Sequence, residues 1–341
     1  MVYSFQLWKH PNIHYREAVQ RLGRCELFSM LRCLSVDADI QIEIIGSAPF
    51  FTFESRTLSP EELTWLRGHS GIVFMAEKKG GSLLPLPVSP SEALSEELPE
   101  VLKYKGKTSP SFTRMMLNTA MSLTPFARHA GSAVVLDPLC GKGTGLFCAL
   151  CSGASAVGID ISGKDLREAS DYFRRFLKLH RVSHTFVRHS ETAGTLPVPA
   201  ETVRFSLSKE KGSPDSQRFL TLYEGDTSLA GTLLRKKPAH ALIADLPYGV
   251  QHAPQSGKKP EPFDRLLSRA LPAWKEALRP GGALAVSFNT LTLKTETVRS
   301  LLAEAGFLVC DSPVFSGLIH SVEQAVVRDL VFATVPNHSQ A

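Results

Sequence analysis

From residue 133 onward the sequence alternates short apolar runs with amphipathic stretches of helical period, and this rhythm constrains the fold more than any other feature. AVVLDP (133–138), ASAVGID (154–160), HALIADLP (240–247) and ALAVSFN (283–289) are apolar on both faces. That is the pattern of strands covered on both sides. Between them lie helical stretches at 144–151, 163–180 and 262–278. The second carries Leu166, Ala169, Phe173, Phe176 and Leu177 along one side, behind a start at Ser162 and Asp165. Alternation of this kind predicts an α/β domain with a mostly parallel sheet between two helical layers. Residues 182–222 contain three strand-like runs, too much chain for one connection, and predict an inserted β-hairpin around the third sheet strand.

The N-terminal part has a different grammar. VYSFQLW (2–8) alternates through Tyr3, Phe5 and Leu7, and residues 15–25 have helical spacing. ADIQIEII (38–45) alternates through Ile40, Ile42 and Ile44, and FFTFES (50–55) follows a turn signal. SPEELTWLRG (59–68) opens with a capping box, Ser59 and Glu62, and GIVFMAEKK (71–79) is a fourth strand. The order βαββαβ predicts a small α+β, ferredoxin-like domain over residues 1–80. It carries no reactive cluster, which leaves either a binding role or a structural cap. Residues 81–102 are rich in Gly, Pro and Ser and read as a linker to a domain spanning 103–341. Lys103, Lys105 and Lys107 open that domain, either as solvated charge or as a phosphate-facing stretch beside a nucleic-acid groove. Ser109-Pro110 starts a helix through Leu123 with Phe112, Met115, Met116 and Ala120 on its buried side.

Composition narrows the class. With 341 residues, 43% hydrophobic, the chain has material for two domains and a real core. The net charge of +5 permits a nucleic-acid partner without requiring one. No apolar run reaches the ~18 residues of a membrane span, and no signal peptide is evident. The six cysteines have no zinc spacing, so no metal is expected; reduced thiols fit a cytoplasmic protein.

Four motifs carry chemistry, each at a predicted strand C-terminus. LDPLCGKGTG (136–145) is strand, acid, proline, then Gly-x-Gly opening a helix. Leu136 stands where a phosphate-binding loop needs its first glycine, and Leu146 where a dinucleotide fingerprint needs its third. Gly141 and Gly143 let backbone approach a ligand at the start of the helix at Thr144. Asp137, beside Pro138 and Cys140, disfavours a phosphate and suits a cofactor with a cationic or amino end. Asp160, next to Ile161 and 17 residues after Gly143, is placed to accept ribose hydroxyls. Asp226 and Thr227 in EGDTS are candidates for an adenine amino group. DLPYG (245–249) is the fourth. Asp245 and the Leu246 carbonyl can accept hydrogen bonds from an aromatic amine, Pro247 fixes the turn, and Tyr248 offers a stacking face.

Taken together, DPLCGKGTG, GID, GDT and DLPYG, with RPGG and LLAEAGF later, resemble class I S-adenosylmethionine-dependent methyltransferases. The D-x-PY form resembles those acting on exocyclic base amines, and most closely the tRNA guanine-N2 methyltransferases of the THUMP-associated family. The resemblance covers roughly residues 103–335. It implies a Rossmann-like, seven-stranded sheet with a reversed last strand, S-adenosyl-L-methionine as cofactor, and tRNA as substrate. It implies cofactor contacts at Asp137, Pro138, Cys140, Gly141, Gly143, Thr144, Asp160, Ile161, Asp226 and Thr227, and a target base at Asp245 to Tyr248. Leu246 replaces a frequent second proline and Lys142 a frequent serine, and residues 81–102 are too few to hold a THUMP domain. Two other readings remain open: a DNA adenine or cytosine amino-methyltransferase, and a nucleic-acid-binding protein without catalysis.

Overall fold

The computed structural model describes residues 1–8, 13–87, 94–102, 107–128, 130–207, 217–247, 255–256, 259–323 and 326–337. Lys103, Lys105 and Tyr248 lie outside the described residues.

The N-terminal part runs β1 (Val2–Leu7), α1 (Ile13–Cys33), β2 (Gln41–Ile45), β3 (Ala48–Glu54), α2 (Pro60–Leu66), β4 (Ile72–Lys79) and β5 (Ser82–Pro85). Its sheet has the order β2-β3-β1-β4-β5, with β1 antiparallel to both β3 and β4. Tyr3, Phe5 and Leu7 pack with Phe51, Phe53, Leu27 and Met30 in one apolar cluster. The capping box at α2 forms in both directions: Ser59 Oγ accepts from Glu62 N at 3.3 Å, and Glu62 Oε2 accepts from Ser59 N at 2.9 Å.

Three local expectations change. The helix at 15–25 is longer, Ile13–Cys33. Ile42 and Ile44 do not enter the core; they are 42% and 63% exposed, because β2 is the edge strand of its sheet. The stretch read as linker begins with a strand, β5, antiparallel to β4. Gly80 and Gly81 both have positive φ, 55° and 83°, so they form a tight hairpin turn rather than a flexible joint. Farther along, Leu94 and Leu98 are buried and α3 (Leu98–Val101) follows.

The remaining chain runs α4 (Pro110–Ser122), β6 (Val134–Asp137), α5 (Thr144–Cys151), β7 (Ser155–Asp160), α6 (Gly163–Leu179), β8 (His184–Ala193), β9 (Leu196–Ser206) and β10 (Gln217–Glu224). It continues through α7 (Ala230–Leu234), β11 (Ala239–Asp245), the short pair β12 (Gln255–Ser256) and β13 (Lys259–Pro260), and α8 (Phe263–Ala277). It closes with β14 (Leu278–Asn289), α9 (Thr295–Glu304), β15 (Leu308–Val309), β16 (His320–Glu323) and β17 (Val326–Thr334).

These strands build an α/β sheet ordered β15-β17-β14-β11-β6-β7-β10-β9-β8, with β16 also on β17. Strands β14, β11, β6, β7 and β10 are mutually parallel, and β17 runs antiparallel to β14. The expectation of seven strands is therefore corrected to ten among the described residues. The hairpin β8–β9 extends the β10 edge, and β16 pairs with the N-terminal half of β17. Alternate residues of each central strand point into different cores. Val135 and Ile243 join one cluster with α4, α5 and α6; Leu136 and Leu242 join the other with α7, α8 and α9. Leu22 and Cys25 of α1 belong to the first of these clusters, so the N-terminal part is packed onto the large sheet through α1.

Candidate functional site

The chain reverses its direction of winding at β6. From β6 it proceeds through β7 to β10, then crosses back to lay β11 on the other side of β6. Crossover connections leave this point in opposite directions, which opens a crevice at the strands' C-terminal ends, where α/β folds bind ligands. Asp137, Asp160 and Asp245 are the last residues of β6, β7 and β11. Register puts Asp160 opposite Glu224 and Asp245 opposite Ser287, so all three acids stand on one edge. Asp226 sits two residues past the end of β10 on the same side.

The loop from β6 to α5 is built from backbone. Cys140 N donates to Ile159 O at 3.1 Å and Gly143 N to Cys140 O at 2.8 Å. Gly141 and Gly143 have φ of +48° and +87°, where a Cβ is strained. A Cβ on Gly141 would meet nothing within 4 Å, so that side of the loop is open. Gly145 in the first turn of α5 is different: a Cβ there would collide with the Asp137 carboxylate and crowd Ile243. Pro138 and the Cys140 and Thr144 side chains are buried, so these residues shape the loop from within. Lys142 pins it from outside, its Nζ 2.5 Å from Glu168 Oε2 and 3.7 Å from Asp165 Oδ1 on α6. That pairing is what a lysine offers where the resembling family often has serine.

The acids differ in their surroundings. Burial pushes the Asp137 carboxyl up to about 8; a bond from Leu139 N opposes this, and the charges of Asp160 and Asp245 add to it. Asp160 is also raised by burial, although it accepts Gly141 N at 2.8 Å and Ser162 N at 2.8 Å. It thereby joins the glycine loop to the start of α6. Ile161 beside it is 58% exposed, an apolar surface at the rim of the crevice. Burial would raise Asp226, but bonds from Arg269 and from Ser228 outweigh it and hold the carboxyl below its ordinary range. Arg269 is shared with Glu261 at 3.1 Å.

Two sequence-derived candidates are placed elsewhere than expected. The Thr227 hydroxyl is buried and accepts from Trp274 Nε1 at 2.8 Å, so it seats α8 in the core and does not face the crevice. Lys107 does not present its ammonium outward for a phosphate; Nζ donates to Pro99 O at 2.5 Å and to Glu100 O at 3.2 Å. By contrast Leu246 explains its own departure from proline. Its N–H continues the strand ladder to Ser287 O at 2.9 Å, a bond proline cannot make, and its side chain is buried. Sequence reading missed Thr108, whose hydroxyl donates to Asp245 Oδ2. Among the described residues no group of three metal-ligating side chains converges, and no helix is long and apolar enough to cross a membrane.

A doubly wound α/β sheet with its crevice at the switch point and a glycine turn at the first strand end defines a Rossmann-like protein. No family model and no curated protein matches the chain. Among solved structures it is similar to TrmN from Thermus thermophilus, at 16% identity over 87% of this chain and a TM-score of 0.39. The chain spans 60% of that protein's length. It is similar as well to the S-adenosylmethionine-bound magnesium protoporphyrin IX methyltransferase of Synechocystis PCC 6803, at 14% identity over 67% of this chain, 86% of that chain and a TM-score of 0.39. An rRNA methylase from Streptococcus thermophilus is similar at 12% identity, 65% of this chain, 97% of that chain and a TM-score of 0.33.

Proposed function

We propose that this chain is an S-adenosylmethionine-dependent N-methyltransferase acting on an exocyclic amine of an RNA base, with guanine-N2 in tRNA as the leading acceptor. The observation that carries the reading is the arrangement of Asp137, Asp160 and Asp245 on adjoining parallel strand ends around a left-handed glycine turn. One buried and two half-buried acids without a phosphate-binding loop suit a ligand that is cationic at one end and rich in hydroxyls along its length.

The donor set fits that cofactor. Asp137 would face the ammonium and sulfonium end, where its raised affinity for a proton becomes affinity for a cation. Gly141 and Gly143 would give the backbone close approach, and the open side of Gly141 provides the space. Asp160 would accept the ribose hydroxyls with the lone pairs not used by Gly141 and Ser162, and Ile161 would pack on the adenine ring. Asp226 would take the adenine amino group, held in place by Ser228 and Arg269. When bound, the cofactor supplies an electrophilic methyl group on sulfur.

The chain's own part in the reaction is orientation and proton handling at Asp245. An aromatic amine is a weak nucleophile because its lone pair is delocalised into the ring. Hydrogen bonds from its two N–H groups to Asp245 and to the Leu246 carbonyl favour a tetrahedral nitrogen with the lone pair turned outward. Asp245 then accepts the proton that the nitrogen loses as its new bond forms. The ring of Pro247 fixes its own φ, and Tyr248 is the residue on which the base would stack at ~1–3 kcal/mol. Fixing acceptor and donor in one crevice supplies much of the acceleration. A paired base would have to leave its helix to reach this edge.

Calorimetry with S-adenosylmethionine, then nucleoside mass spectrometry of RNA and DNA from cells with and without the protein, tests the reading. A methylated guanosine lost from tRNA is the expected result. Loss confined to DNA nucleosides, or no cofactor uptake by folded protein, overturns it.

A further inference from the structure

The strand end that carries Asp245 receives a side chain from far away in the sequence. Thr108, 137 residues earlier, donates its hydroxyl to Asp245 Oδ2. We propose that Thr108 is a positioning residue that fixes the plane of the Asp245 carboxylate for the acceptor amine. The inference rests on the reading of Asp245 given above and goes beyond it by assigning a role to the segment before α4.

Both partners are mounted on packed elements. Asp245 closes β11, whose Leu246 N–H is bonded onward to Ser287 O at 2.9 Å. Thr108 lies at the foot of α4, whose Phe112, Met115 and Met116 are buried in the core shared with β6 and β11. Its neighbour Lys107 is anchored on the carbonyls of Pro99 and Glu100. On the other side Ser109 O accepts Thr113 N at 3.0 Å and begins the helix. Leu98, next to Pro99, is itself held, for its carbonyl accepts Tyr172 O–H from α6 at 2.8 Å. Thr108 therefore has little freedom to drift.

The chemistry of the pair explains why a hydroxyl is useful. A carboxylate at a strand end turns easily about its last side-chain bond. A bond to the charged group is stronger than a neutral one, and threonine is stiff at χ1, so little entropy is lost in making it. One oxygen engaged by Thr108 fixes the plane of the other before substrate arrives. Such pre-organisation acts on the rate of transfer and leaves cofactor binding alone.

The test compares Thr108→Val, which keeps the shape and removes the hydroxyl, with Thr108→Ser, which keeps the hydroxyl. Methyl transfer from labelled S-adenosylmethionine to bulk tRNA from cells lacking the protein is the assay, with Asp245→Asn as reference. Loss of a hydrogen bond to a charged group predicts a fall in kcat of about 10- to 100-fold in the valine variant. The cofactor's KM and Kd stay at the wild-type values, serine restores most of the rate, and valine adds nothing in the Asp245→Asn background. If Asp245→Asn is inactive while Thr108→Val turns over normally, the inference is wrong and the functional reading stands. A valine loss that appears in cofactor affinity, or that serine does not restore, assigns Thr108 to packing and likewise overturns it. If Asp245→Asn keeps full turnover, or wild-type protein transfers no methyl group, the functional reading falls and takes the inference with it.

Discussion

Asn118 of α4 donates its amide to Glu26 Oε1 of α1 at 2.7 Å, joining the N-terminal part to the large α/β sheet through a carboxylate with no exposed surface. The same amide donates to Gly68 O at 2.8 Å. Glu26 also accepts Ser70 N at 2.8 Å and Ser70 O–H at 2.5 Å, and His69 Nε2 lies 3.4 Å away. Gly71 N donates to His69 Nδ1 at 3.0 Å, so the ring proton sits on Nε2, facing Gly23 O at 2.9 Å. Both carboxylate oxygens of Glu26 are thereby engaged in a largely buried polar network.

Removing Asn118 should therefore cost more than its size suggests. Asn118→Ala leaves Glu26 short of a donor, and about 1–3 kcal/mol of stability should be lost. Glu26→Ala strands several donors at once and should cost more, roughly 3 kcal/mol or above. Urea unfolding of the two variants checks both magnitudes. A change below about 0.5 kcal/mol for either, the range of ordinary surface substitutions, would show that the two halves are not joined through this network.

Gly145 is the glycine whose replacement tells most about the crevice. An alanine Cβ there would run into the Asp137 carboxylate and the Ile243 side chain. Overpacking of this kind costs about 1–3 kcal/mol. Because the displaced atoms belong to Asp137, Gly145→Ala should weaken S-adenosylmethionine binding at least tenfold while the circular dichroism spectrum is kept. Gly153→Ala is the control: it carries the strain of a positive φ, which Gly145 does not have, but a Cβ there would meet nothing within 4 Å, and binding should be unaffected. Equal affinity in Gly145→Ala and wild type would place the cofactor elsewhere.

The parts of this site that were legible in the sequence are those encoded locally. Strand, acid and glycine turn follow one another at Val134–Gly143, and Asp160 and Asp245 each close an apolar run. Local pattern suffices for such features, because strand polarity alone carries all these ends to one edge. What escaped was set by tertiary contact. Thr108 reaches Asp245 only because α4 packs against the sheet, and nothing in KTSP reports that. Thr227 has the composition of a turn residue, yet Trp274 claims its hydroxyl. Ile42 and Ile44 alternate as core residues do, but their strand is at an edge. Gly80-Gly81 has the composition of a hairpin turn, but the prolines and serines that follow give the whole stretch the composition of a linker.

The six thiols should be nearly inert in the native protein. Burial raises each of them above the ordinary range, Cys148 to about 12 and Cys310 to about 11. Reaction requires the thiolate, so an aromatic disulfide reagent near pH 8 should label native protein roughly 100-fold more slowly than protein unfolded in guanidinium. Cys33, less buried than Cys148, should react first. Prompt labelling of Cys148, on α5, or of Cys140, in the loop before it, would mean that this part of the chain opens far more readily than its packing implies.

Asp137 should make both stability and ligand binding depend on pH. An ordinary aspartate ionises near 3.8, and burial carries this one to about 8. Between those values the folded chain holds a proton that the unfolded chain has released. Stability should therefore be greatest at the acid side of the window, fall as pH rises through it, and level off once the folded group has ionised. Asp137→Asn removes the titrating group, so the difference in urea midpoint between about pH 5 and about pH 8 should shrink in that variant. A cation bound beside the carboxylate favours its charged form, so S-adenosylmethionine binding near neutral pH should release a proton. Calorimetry in two buffers of different ionisation enthalpy measures that release directly. The neutral-sulfur product, S-adenosylhomocysteine, has lost the sulfonium charge and should release less. Identical heats in the two buffers for both ligands would show that Asp137 does not face the cationic end, and the orientation assigned to the cofactor would have to be reversed.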